Sequence, residues 1–319
     1  VYKKVMKTLE PFESDEAYYA KKGEISFWKP YIIELLNKHH LQQSLQNIKP
    51  GFNSTYPVFV LDDLVIKFFC HRKNWQQVYQ KECAVHQVLA QNQAILAPTI
   101  GAHAEEGKGQ NAWAYKISTR IEGDSWLHHE PSREQQIRVF SELGKQLKLI
   151  HALPIENALI ERFENFDHLD VKSAAQNSSL PKQLIPQIDE FLSKLPAFDS
   201  VLVNSDIVFM HIFLHNGHLS GIIDWGDAAI TDRHYELGKL CLEVPGDTVL
   251  LNALLEGAEW PVTEHFPHQA LGMALYRQAM GLTQHNSFDT FYKLPGAIKD
   301  LQKIKTLHEL SKFLFKVDK

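Results

Sequence analysis

Asn204-Ser205-Asp206-Ile207-Val208-Phe209-Met210-His211-Ile212-Phe213-Leu214, followed after a turn by Gly221-Ile222-Ile223-Asp224-Trp225-Gly226-Asp227, is the stretch on which the reading of this chain turns. Two short apolar runs, Ile212–Leu214 and Leu219–Ile223, are joined by His215-Asn216-Gly217, and an Asn-Gly pair between such runs signals a tight β-hairpin. Acidic groups flank that hairpin on both sides. Phosphoryl transfer asks for little covalent chemistry from a protein: a carboxylate to orient the attacking hydroxyl, and ligands to hold a metal ion against nucleotide phosphates. Asp206, at the start of the loop, has the character of the hydroxyl-orienting base, while His211 and Asp224 would face the metal. The bland alternative makes both aspartates ordinary turn or capping residues. A zinc site from His211, His215 and His218 is disfavoured, because the period-two geometry of a strand does not gather all three.

Working outward, Val201-Leu202-Val203 reads as a strand entering the loop, and Gln135 to Leu153, Lys182 to Leu195 and the chain from Tyr235 onward read as mainly helical. The region before residue 124 has another character. Gly51 to Thr55, Val58 to Leu61 and Leu64 to Phe69 form a glycine-marked turn and a hairpin, followed by a helix from Trp75 to Gln91 and a strand from Ala112 to Ile117. The expected class is α+β: an extension over residues 1–46 with one helix beginning at Pro30, a β-rich lobe with one helix over 47–123, and a helical lobe over 124–319.

The block from Val201 to Glu236 resembles the aminoglycoside-phosphotransferase family, whose motif is H-G-D-x-x-x-x-N followed by I-D-W or I-D-F. The likeness continues through Asp227 to Leu237 against the family's D-A-x-x-G-D-P-x-x-D-L, with Thr231, Arg233 and Glu236 as departures. The resemblance implies a bilobal, protein-kinase-like fold, ATP or GTP as phosphate donor, Mg2+ or Mn2+, and a hydroxyl-bearing small molecule as acceptor. It also implies that Lys67 holds nucleotide phosphates while paired to Glu82, and that Gly51, Ser54 and Thr55 lie in the loop over those phosphates. By the same likeness the connector holding Thr119 and Ile121 is a hinge whose backbone meets the purine. Inside the catalytic loop, Asn204-Ser205 replaces His-Gly, and His211 replaces Asn. The related macrolide phosphotransferases are similar to this chain in carrying D-x-x-x-x-H.

Bulk properties narrow the partners. With 319 residues, 44% hydrophobic, the chain can bury a sizeable core, and a net charge of −5 supplies no field for nucleic acid or an anionic membrane. Three cysteines without a C-x-x-C pair suit a reducing cytoplasm, and no run approaches the ~20 apolar residues of a membrane span. The oligomeric state is left open. From Cys241 to Lys319 there are nine Asp or Glu against eight Lys or Arg, a balance that speaks against a polycationic acceptor. A neutral or partly apolar acceptor, reached past Trp225, Tyr276 or Trp260, fits at least as well. The alternative is a catalytically impaired, kinase-like module that binds nucleotide or ligand. A protein kinase is disfavoured by the lack of D-F-G and A-P-E triplets.

Overall fold

Alternate side chains of a strand face opposite ways, so the run from Leu64 to Phe69 sends Ile66 and Phe68 to one side and Lys67 and Phe69 to the other. That division organises the first of two compact units in this computed structural model, which describes residues 8–52, 55–128, 130–284 and 288–317. The first unit runs to Ala90 and includes Ala97–Ile121; the second holds Gln91–Leu96 and the chain from Glu122 onward.

In the first unit, β1 (Lys49–Pro50), β2 (Val58–Val60), β3 (Leu64–Phe69), β4 (Ile100–Glu106) and β5 (Trp113–Thr119) form an antiparallel sheet in the order β1-β2-β3-β5-β4. Its register sets Ile66 opposite Ile117 and Lys67 opposite Lys116. One face packs against α1 (Asp15–Lys21) and α2 (Ile25–Lys38), with the fully buried Trp28 ring 4.6 Å from that of Phe68. The other carries α3 (Trp75–Leu89), whose Tyr79 and Cys83 meet Phe69 and Ala114.

Three features of this unit differ from the sequence expectation. The extension expected to hold one helix holds two, α1 and α2, whose Tyr18 and Trp28 join the core of the unit. Helix α2 begins at Ile25 and holds Pro30 in its interior. The Phe27 and Trp28 amides close the first turn on the Glu24 carbonyl, and burial of Trp28, Tyr31, Ile32 and Leu35 outweighs the amide that proline lacks. Strand β4 was not foreseen at all: its sequence, Ile-Gly-Ala-His-Ala-Glu-Glu, has little intrinsic β preference, and edge pairing with β5 makes it a strand.

The second unit is built around α4 (Arg133–His151) and α8 (Thr248–Ala258). A capping box between Ser132 and Gln135 starts α4. The two helices approach so closely that a Cβ on Gly144 would lie 2.1 Å from the Leu254 carbonyl oxygen, and one on Gly257 would lie 2.1 Å from that of Ser141. Beyond the short α5 (Val171–Gln176), the expected helix from Lys182 to Leu195 is instead a 3-10 turn over Lys182–Gln187, where Pro186 interrupts the amide ladder, followed by the short α6 (Ile188–Leu192).

Two small sheets carry the chemistry-bearing loops. Strands β6 (Asp124–Ser125), β8 (Ile212–His215) and β9 (His218–Ile222) form one, with Asn216 and Gly217 both at positive φ in the tight turn. Strands β7 (Ser200–Val203) and β10 (Ala229–Asp232) form the other, pairing Val203 with Ala229. No helix among the described residues is long and apolar enough to cross a membrane.

Because Trp28 fills the contact between α2 and the sheet, Trp28→Ala should cost about 3–5 kcal/mol of stability, read from the urea midpoint at constant m-value. A loss below about 1 kcal/mol would show that α2 is dispensable to this unit.

Candidate active site

The antiparallel pairing of β7 and β10 decides where the acidic loops meet. With Val203 opposite Ala229, the loop leaving β7 at Asn204 lies beside the loop that enters β10 after Asp224. Asn204, fully buried, ties them together: its Oδ1 accepts from the Asp206 amide at 3.0 Å, and its Nδ2 donates to the Asp224 carbonyl at 3.0 Å. Its own amide donates to Glu236 Oε2 at 2.7 Å. Ser205 adopts φ +69° and Asp224 φ +58°, left-handed conformations that cost a non-glycine residue roughly 1–2 kcal/mol each. Asn204 is thus a cross-loop strut, and Ser205 carries strain that a glycine would not.

Asp206, His211 and Asp224 come together. His211 Nδ1 lies 2.7 Å from the Asp206 backbone carbonyl, a contact that requires Nδ1 to carry the hydrogen. In the neutral ring Nε2 then keeps a lone pair, and it lies 3.7 Å from Asp224 Oδ2. Asp224 keeps 39% of its side chain exposed, whereas His211 is buried. An imidazole nitrogen of defined tautomer opposite an accessible carboxylate is a donor pair suited to a divalent ion. Among the described residues no group of three His, Cys, Asp or Glu side chains is placed to hold a metal ion by itself, so further ligands would come from substrate and water.

The carboxylate of Asp206 is heavily countered. Lys239, on α7 (Leu237–Leu240), donates to Oδ1, and Arg277, on α9 (Phe266–Gln284), places Nη2 at 3.4 Å from the same oxygen and donates from Nε to the Ser205 carbonyl at 3.0 Å. His211 Nδ1 stands 3.5 Å from Oδ2. Burial opposes the ionised form, but the ammonium of Lys239, with His211 and Arg277, outweighs it and holds this carboxyl below its ordinary range. Behind the loop the balance reverses for Glu236: burial, with Asp206 nearby, pushes its carboxyl up to about 7 despite the amides donated to it. Its Oε1 is buried without a hydrogen-bond partner.

In the first unit, Lys67 donates to Glu82 Oε2 at 2.7 Å, while Lys116 occupies Oε1. Burial resists the charge of Glu82, yet Lys116 and then Lys67 overcome it, so the carboxyl is strongly lowered. His86, pushed down to about 3 mainly by burial, sits 3.2 Å from Lys116 Nζ. The Gly51 amide donates to the Val58 carbonyl at 2.8 Å, and the Thr55 carbonyl accepts from the Tyr18 hydroxyl at 2.8 Å. Ser54 lies outside the described residues. Thr119 closes β5 with its hydroxyl accepting from the Thr99 amide, and Ile121 is the last residue of the first unit.

Sequence reasoning missed Lys116, Lys239, Arg277 and the buried Glu236. Lys116 left a trace, a lysine in a strand otherwise entirely buried up to Ser118, as did Arg277 amid the apolar run of α9. Lys239 left none. Two aromatic expectations are corrected: Trp225 and Trp260 are core residues, with the Trp225 indole donating to the Ile222 carbonyl at 3.0 Å. Tyr276 does line a cavity of about 420 Å³ in the second unit.

Residues 45–269 match the sequence model of the phosphotransferase enzyme family. The structure is similar to the GDP complex of wild-type aminoglycoside 2'-phosphotransferase-IIIa (TM-score 0.64, 15% identity, covering 89% of this chain and 96% of the other). It is also similar to the streptomycin–ATP ternary complex of APH(2")-IIa (TM-score 0.54, 15% identity, 82% and 97% covered). A third likeness is to the apoenzyme of a macrolide 2'-phosphotransferase from Brachybacterium faecium (TM-score 0.59, 14% identity, 90% and 98% covered).

The raised carboxyl of Glu236 has a definite sign in stability. Between the ordinary range, near pH 4.5, and about pH 7, the unfolded chain ionises while the folded one retains the proton, so stability is lost as pH rises. Glu236→Gln keeps an acceptor for the Asn204 amide and removes the titration. Relative to the parent, the variant should gain on the order of 2–3 kcal/mol between pH 4.5 and 7 and then plateau. Urea unfolding across that range checks this, and a pH-independent difference would refute it.

Proposed function

Because the chain belongs to the phosphotransferase enzyme family, matching it over residues 45–269, we propose that it transfers the γ-phosphate of ATP or GTP to a hydroxyl group of a small molecule. The observation that carries this reading is the convergence of Asp206, His211 and Asp224 on two loops tied by Asn204. GDP and ATP in complexes of similar structures support a nucleoside triphosphate as donor.

Asp206 orients the acceptor hydroxyl and takes its proton as the acceptor oxygen bonds to the γ-phosphorus. The bond from that phosphorus to the bridging oxygen breaks, and the nucleoside diphosphate leaves. Lys239 and Arg277 keep the base ionised for this role. His211 Nε2 and Asp224 would hold Mg2+ or Mn2+. When bound, such an ion neutralises phosphate charge. In the first unit Lys67 serves the nucleotide phosphates; Glu82, held by Lys116 from its other oxygen, remains compensated when Lys67 turns to them. Gly51, Ser54 and Thr55 are assigned to those phosphates, and the backbone at Thr119 and Ile121 to the purine. The buried, unpaired thiols of Cys70, Cys83 and Cys241 support a cytoplasmic setting.

Asp206→Asn should lower turnover about 10²–10⁴-fold, measured as nucleotide-dependent phosphorylation across a library of hydroxylated acceptors with ATP and with GTP. Nucleotide affinity in the presence of Mg2+, read by thermal shift, should be retained. Undiminished turnover in the variant would overturn the assignment, and nucleotide binding without turnover by the parent would favour the impaired, binding-only module.

A further inference from the structure

We infer that the acceptor is an anion: a small hydroxy compound carrying a carboxylate or phosphate group beside the reacting hydroxyl, with Lys239 holding that group. The inference rests on the reading of Asp206 as the base that receives the hydroxyl.

Two cations share one oxygen of Asp206, and they differ in kind. Arg277 is structural: its side chain is 4% exposed, its Nε is committed to the Ser205 carbonyl, and its guanidinium lies over the Phe288 ring at 4.6 Å. Asp227 and Tyr235 interact with it as well. Lys239 is the accessible one, with 22% of its side chain exposed and its ammonium 5.2 Å from the same ring. A hydroxyl that docks on Asp206 therefore enters beside the ammonium of Lys239.

The chemistry of the ammonium then selects among acceptors. It has three donors, and Asp206 Oδ1 engages one of them. An acceptor anion can be bridged to Asp206 through Lys239 without separating the ion pair, whereas displacing Lys239 would leave a largely buried carboxylate less compensated. A polycation would meet two like charges where water is partly excluded. The 420 Å³ cavity is lined by Asp167, Asp170 and Asp189 but also by Lys172. Asp170 caps the helix over Val171–Gln176, and Asp189 is paired with Lys172.

The test uses the full chain with a non-hydrolysable ATP analogue and Mg2+ present, so that the phosphate subsites of the nucleotide are filled. The probes are glycerate and glycerol 3-phosphate as anions, glycerol as the neutral match and kanamycin as the polycation; calorimetric binding and ATP-supported turnover are the readouts. Anionic probes should bind at least about tenfold tighter than glycerol, the worth of one charge-assisted hydrogen bond. Lys239→Gln should abolish that preference and Lys239→Arg retain it. Equal or tighter binding of glycerol or kanamycin, failure of both anions to bind, or an undiminished preference in Lys239→Gln overturns the inference. Lys239-dependent anion binding without phosphorylation supports the anion site while refuting the proposed function, so the two failures are distinguishable. Carboxylate and phosphate recognition are separated by comparing glycerate with glycerol 3-phosphate.

Discussion

Antiparallel pairing of β7 with β10 is the constraint from which the candidate site follows. Residues twenty positions apart in sequence, Asn204 and Asp224, become neighbours because Val203 lies opposite Ala229. The Asn204 side chain then converts proximity into fixed geometry by serving both loops at once, one amide end to each. The backbone at Ser205 and Asp224 is bent into left-handed conformations around this strut. His211 reads the same geometry through its bond to the Asp206 carbonyl, which sets its tautomer and aims its second nitrogen at Asp224.

Charge is arranged on one plan in both units. Glu82 carries a buried partner, Lys116, and a more accessible one, Lys67; Asp206 likewise carries buried Arg277 and more accessible Lys239. A largely buried carboxylate with a single cation would be left uncompensated whenever that cation turned to a substrate. With two, one cation still stabilises the ionised form if the other moves away.

The legibility of the chain in sequence tracked the range of the interactions involved. The hairpin of β8 and β9 was readable because Asn216-Gly217 and its flanking apolar runs are local signals. Helix α4 was readable from periodicity to within two residues at each end. Strand β4 was not, because its identity comes from the hydrogen bonds of β5 and not from its own residues. Nor was the start of α2 legible, since proline normally marks a first turn and here the burial of Trp28 and its neighbours overrides that preference.

By itself, the sequence determined the α+β class, the family, and the order of the acidic and imidazole groups along the chain, because each is written in local pattern and spacing. Tertiary structure alone decided that Lys239 and Arg277 stand on Asp206, and that Lys116 shares Glu82 with Lys67. It also decided that Asn204 is a strut and that Trp225 belongs to the core. These are contacts between residues mostly distant in sequence. An ion pair carries no periodicity, and its partner becomes visible only when packing brings two unrelated elements within bonding distance.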